Sequence, residues 1–289
     1  MKKLVGLTGI LVAAWSIVPV YWVLNLSFQR RLDIYTVPPY FLPPVPTVDD
    51  YLRAVGILKT NPFGSSTGLG LVPQFTAGIQ NSLIVATAVM ALTMILCIPA
   101  GYAFARFSFP FRSLIFFTIV FARSLPPIAT TIPYYQFYKT AGLLGTIPGL
   151  ALVHMTLTVP LTTWVLSGFF SSLPVELDKQ ARMDGCSRAR LFRSVLIPIA
   201  APGLAAVAIL SWLTSWNEFI LALLLAYSND LYTVAPALAA PLIGYGSDVE
   251  LYSAFASIAL VPSVIAAIIL QRFMTRLKIV DPLTFRVPT

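Results

Sequence analysis

Six apolar blocks, at about 4–26, 79–105, 113–137, 148–170, 200–226 and 253–269, dominate this sequence. Each is long enough to cross a bilayer, which takes about 20 residues of helix. No soluble core could hide so much: 57% of the 289 residues are hydrophobic and only 10% are charged, against roughly 25% in soluble domains. In lipid every backbone polar group needs an internal partner, so the blocks are read as helices. The predicted fold class is an all-α membrane protein with about six transmembrane helices, a single transmembrane domain over 1–289. The first block follows Met1-Lys2-Lys3 and continues through Trp15, Tyr21 and Trp22. That exceeds the apolar core of a secretory signal, about 7 to 15 residues, so it is read as an uncleaved first span.

Lys and Arg in short loops set the orientation, because cytoplasmic loops carry the excess. With both termini inside, Lys2, Lys3, Arg106, Arg112 and the basic residues of segments 173–202 and 272–289 share the cytoplasmic side. Arg30, Arg31, Arg53, Lys59 and Lys139 fall outside. The net charge of +8 then reports topology and contact with membrane lipid, and a nucleic-acid surface is excluded for want of a basic soluble domain. Segment 29–74 is expected to be an external loop, interrupted at Pro38-Pro39, Pro43-Pro44, Pro46 and the stretch from Gly64 to Gly68. Its Asp49-Asp50 suits either a surface for a soluble binding protein or a plain solvated loop. Segment 228–250 is expected outside as well.

Enzyme chemistry finds no footing. Cys97 and Cys186 lack paired spacing and are read as free thiols. The one histidine, His154, has no Cys, Asp or Glu beside it and is read as satisfied within its own helix. No metal, cofactor or catalytic set is expected, and no phosphate loop with a following Lys exists for ATP.

The segment 173–202, LPVELDKQARMDGCSRARLFRSVLIPIAAP, is too polar for membrane and too patterned for a linker. Glu176 and Asp178 suit the first turn of a helix from Val175 to Met183. Gly185 supplies a left-handed terminus. Ser187 caps a second helix through Leu196, with Leu191, Val195 and Leu196 on one face. Pro198 is expected to block its smooth continuation. The predicted object is a pair of short amphipathic helices meeting at a glycine.

This pattern resembles the cytoplasmic loop of ABC importer permeases: Glu-Ala-Ala, three residues, Gly, nine residues, Ile, one residue, Leu-Pro. It falls on Lys179-Gln180-Ala181, Gly185, Val195, Leu196, Ile197 and Pro198. Asp184-Gly185, Leu173-Pro174, Asn81-Ser82 and Trp216-Asn217-Glu218-Phe219 are similar to the carbohydrate-uptake, maltose-type branch, and the likeness covers almost the whole chain. Two departures stand out. Lys179 and Gln180 replace the acid and first alanine, with Glu176 or Asp178 as candidate substitutes. The tail 273–289, expected to be cytoplasmic, lacks the branch's Gly-rich ending.

The resemblance implies a prokaryotic cell-membrane permease that works with a second permease, two ATP-binding cassette subunits that bind the ATP, and an extracytoplasmic solute-binding protein. It implies that Lys179, Gln180, Ala181, Asp184, Gly185, Val195, Ile197 and Pro198 form a coupling loop docked on the ATPases, and that the solute is a sugar or polyol. The alternative class, a secondary transporter, would show internal repeats and leaves the loop pattern unexplained. Trp164, Phe169, Phe170, Trp212 and Trp216 suit stacking on sugar rings but are read first as packing residues.

Arg123 and Glu218 fall inside spans, where an arginine costs about 2.5 to 3.5 kcal/mol on insertion scales. With Asn217 and Trp216 they are candidates for a translocation path. At about 1.5 Å per residue, Arg123 lies about 16 Å along from Arg112 and Glu218 about 24 Å from Pro202. A direct Arg123–Glu218 pair is one expectation. The other has Glu218 bonded locally and Arg123 lining a cavity or touching the partner permease.

Overall fold

In a computed structural model the described residues are 2–59, 71–226, 231–239 and 248–276. The Gly64–Gly68 stretch, most of segment 228–247 and the tail from 277, with Lys278 and Arg286, lie outside them. In chain order the helices are α1 (Lys2–Ser27), α2 (Arg31–Ile34), α3 (Asp49–Ala54), α4 (Val72–Arg106), α5 (Arg112–Ala122), α6 (Pro127–Thr140) and α7 (Ile147–Ser172). There follow α8 (Val175–Met183), α9 (Arg188–Leu191), a π-helical turn (Phe192–Leu196), α10 (Ile197–Trp216), α11 (Ile220–Leu225), α12 (Val234–Ala239) and α13 (Val249–Arg276). Among the described residues five helices are long and apolar enough to span a membrane without a break, and α5 and α6 together match a sixth span in length and composition. Prolines inside the spans, such as Pro99 and Pro160, are tolerated because neighbouring helices re-satisfy the freed backbone groups.

Three expectations are corrected. The 113–137 block is two helices meeting at 97°, because Pro126 is held extended at φ −60°, ψ 128° and Pro127 opens α6, a position that suits its missing N–H. The 200–226 block breaks after Trp216. Asn217 closes α10 by donating from its backbone N–H and from Nδ2 to Leu213 O, at 3.1 and 2.9 Å. Glu218 opens α11. Pro198 does not interrupt the chain either: α9 runs through the π turn into α10, and Pro198 occupies the first turn of α10. A wider turn accommodates the ring that would clash with the carbonyl four residues back in a regular helix.

The chain divides into two compact units. The larger, Leu83–Leu225 with Ser263–Thr289, packs α7 against α4, α5 and α10. Lipid offers no hydrophobic drive between helices, so close approach and polar pairs hold them. Thr93 and Thr158 hydroxyls meet at 2.8 Å between α4 and α7. Thr162 and Ser211 meet at 2.9 Å between α7 and α10. A Cβ on Gly101 of α4 would lie 2.7 Å from Leu166 Cβ, so only glycine admits this approach.

The other unit is Met1–Ser82 with Ala226–Pro262. Gln29 and Asn25 amides donate to Tyr40 O at 3.1 and 3.0 Å, folding the segment back on α1. Arg53, 1% exposed, pairs with Asp50 at 2.6 Å and with Asp248 at 3.1 Å, and Arg31 meets Asp248 at 2.7 Å. Asp50 is thus consumed in a buried ion network and is not a surface for a soluble partner. Charges this deep persist only when paired.

Candidate functional site

From Leu173 to Leu191 the segment folds as its sequence spacing implies. Glu176 and Asp178 sit in the first turn of α8, opposing the dipole. At its other end Cys186 N–H donates to Ala181 O at 2.9 Å and Gly185 N–H to Arg182 O at 3.1 Å. This is the paired bonding that closes a helix on a left-handed residue, and Gly185 has φ +75°. Ala181 is buried and Cys186 packs against the same apolar cluster, the hydrophobic contact that accompanies such an end. Ser187 Oγ accepts from Arg190 N–H at 3.3 Å and starts α9.

Leu191 and Leu196 are fully buried, with Val195 and Ile197 half-buried beside them, in a cluster with Cys97, Tyr102, Leu166 and Phe170. Lys179, Gln180, Asp184, Gly185 and Pro198 are exposed. The outward surface also carries Met183, 81% exposed. The loop therefore has an apolar side fastened to the helices and an exposed polar, basic side.

The departure at Lys179 has a structural answer. Lys179 points its side chain away from the bundle, and the acid that faces inward is Asp178, whose Oδ2 lies 3.2 Å from Arg106 Nε at the end of α4. Arg106 Nη2 also donates to Leu173 O at 2.8 Å. Sequence reading placed Arg106 only as a topological charge, and no local signal joins positions 106 and 178.

The second candidate group separates. Arg123 and Glu218 do not meet: Arg123 Nη1 donates to Leu157 O on α7 at 2.7 Å and remains exposed. Glu218 is buried and bonds locally, its two carboxylate oxygens accepting from Leu221 N–H and Ala222 N–H at 2.9 and 2.8 Å. His154, fully buried on α7, lies 3.4 Å from Glu218 through Nε2 and 2.8 Å from Ser215 through Nδ1. The histidine is hydrogen-bonded across helices, through Nδ1 to Ser215, and not within its own helix, and it ties α7 to the break between α10 and α11. Trp216 is 2% exposed and stacks on Trp212 at 5.0 Å, a packing role, while Asn217 is exposed. Among the described residues no group of His, Cys, Asp or Glu could hold a metal.

Residues 97–279 match the family described as binding-protein-dependent transport system inner membrane component. The chain is 31% identical over 269 residues to the trehalose transport system permease protein SugB of Mycobacterium tuberculosis, covering 91% of this chain and 90% of that one. It is 31% identical to the diacetylchitobiose uptake system permease protein NgcG of Streptomyces coelicolor, over 94% of this chain and 86% of the relative. Its fold superposes with a TM-score of 0.75, at 16% identity, on a chain of a bacterial ABC transporter involved in the import of the acidic polysaccharide alginate, covering 94% and 96% of the two chains. The chain belongs to the binding-protein-dependent transport system inner membrane component family. It is an ABC importer permease, a transport component and not an enzyme.

Proposed function

We propose that this permease carries a sugar or polyol and changes its access in response to ATPase subunits that dock on the exposed side of 173–202. The observation that carries the reading is the left-handed bend at Gly185. It presents α8 and α9 as an outward-facing pair, while α9 continues through the π turn into α10. A push on the pair therefore moves a span directly. Lys179, Gln180, Asp184 and Gly185 form the docking side, Ala181, Val195 and Ile197 pack it on the bundle, and Pro198 lies in the first turn of α10 that continues it. Trehalose and diacetylchitobiose in the names of relatives support a saccharide as solute. A second permease, two ATP-binding subunits and a solute-binding protein complete the assembly, and uptake of a saccharide panel by that assembly in liposomes, with and without ATP, is the test.

Gly185→Val separates coupling from folding. A Cβ at Gly185 meets nothing within 4 Å, so the cost is backbone strain of about 1 to 3 kcal/mol at a left-handed residue. The expected result is normal insertion with ATP-driven uptake lowered about tenfold or more, and near-normal uptake for Gly185→Asn, which tolerates this conformation. Full uptake by Gly185→Val removes the bend from the mechanism.

The 173–202 loop and both termini are assigned to the cytoplasm and 29–74 to the outside, following the Lys/Arg distribution. Ile57 is 70% exposed, so Ile57→Cys should react with a membrane-impermeant maleimide in intact cells. Reaction only after permeabilisation reverses the orientation.

A further inference from the structure

The link between α7 and α8 is two residues long and extended: Leu173 at φ −71°, ψ 139° and Pro174 at φ −57°, ψ 132°. By itself such a joint lets α8 swing about the end of α7, and a force applied to the loop would be spent on that rotation. Arg106 spans the joint. Its Nη2 holds Leu173 O at 2.8 Å, on the joint itself, and its Nε faces Asp178 Oδ2 at 3.2 Å, one turn into α8. The two side chains are 8% and 14% exposed, so water screens the pair little and the attraction is stronger than between surface charges.

The surroundings brace the same point. Tyr102, one turn before Arg106 on α4, packs its ring against Phe107, Phe170 and Phe192 at 5.4, 5.8 and 4.8 Å. Arg188, at the start of α9, lies over the Phe107 ring at 5.2 Å. The end of α4 thus touches the end of α7, the first turn of α8, the start of α9 and the π turn. The other basic residues of α8 and α9, Lys179, Arg182 and Arg190, are exposed.

We infer that Arg106 is a positioning residue that locks α8 to α4, so that displacement of the 173–202 loop drives α4 as well as α10. The inference rests on the reading of this loop as the ATPase-coupling element and adds the route by which it reaches a second span. α10 follows the loop through the covalent chain. α4 follows it through the Arg106–Asp178 pair and the Leu173 carbonyl.

The test uses the complete reconstituted assembly and reads solute moved per ATP hydrolysed, beside the amount assembled and its melting temperature. Arg106→Gln and Asp178→Asn should each lower transport per ATP about tenfold, within the usual range of coupling between sites, with ATP hydrolysis retained. Arg106→Lys should fall between them and the native protein, because an ammonium lacks the fork that serves two acceptors. The exchange Arg106→Asp with Asp178→Arg should recover part of the ratio. An unchanged ratio in Arg106→Gln and Asp178→Asn overturns the inference, as does a loss of uptake that only tracks the amount assembled. Asp178→Asn keeps the bond from Arg106 to Leu173 and serves where Arg106→Gln assembles poorly. Absence of ATP-driven uptake in the native assembly is a different failure, that of the coupling reading itself.

Discussion

Glu218→Ala is expected to destabilise the permease by about 3 kcal/mol or more, since charge-assisted hydrogen bonds contribute about 1.5 to 3 kcal/mol each and both carboxylate oxygens hold backbone N–H groups of α11. The change also strips the buried His154 Nε2 of its nearest acid. The two donors at the start of α11 would then be buried without acceptors, which is the situation membrane helices avoid. Thermal unfolding of the purified assembly should show the largest shift for Glu218→Ala and a smaller one for Glu218→Gln, whose remaining amide oxygen still accepts. Equal melting temperatures for Glu218→Ala and the native protein would show that the break after Trp216 is held by something else.

Gly101→Val should be comparably damaging for a purely steric reason. The first added carbon would sit 2.7 Å from Leu166 Cβ and 3.1 and 3.2 Å from the backbone of α7 at Leu166 and Ser167. Backbone atoms have no rotamer by which to retreat, so α4 and α7 must separate. Overpacking of this kind costs about 1 to 3 kcal/mol, and here it also opens the Thr93–Thr158 contact and the cluster around Tyr102. The expected outcome is reduced assembly with the second permease in detergent and a lowered melting temperature, milder for Gly101→Ala. Unchanged melting of Gly101→Val would mean that α4 and α7 do not approach as described.

What was legible beforehand follows a pattern set by range. The apolar blocks gave the spans because lipid forces long helices on any such sequence. The bend at Gly185, the Ser187 cap and the acids at the start of α8 were legible because each depends on residues within a few positions. The break in the 113–137 block is equally local, since Pro126-Pro127 stand within the apolar run. Asn217 and Glu218 show a subtler case. For Glu218 the sequence left open a charge pair with Arg123 and local bonding, and the structure has the local bonding: Asn217 and Glu218 take up the backbone groups that a broken helix exposes.

The sequence by itself determined that this chain spans a membrane several times, carries no catalytic set and bears the loop pattern of its family. Only the tertiary structure decided the partners of its buried charges: Arg106 with Asp178, His154 with Glu218 and Ser215, and Arg53 with Asp50 and Asp248. Except for Asp50, these partners lie tens of residues or more apart in the chain. Helical periodicity says which residues share a face of one helix but nothing about which face another helix brings. In a low-dielectric bundle that choice is made by close packing at sites such as Gly101, and the charges then pair with whatever the packing brings within about 3 Å.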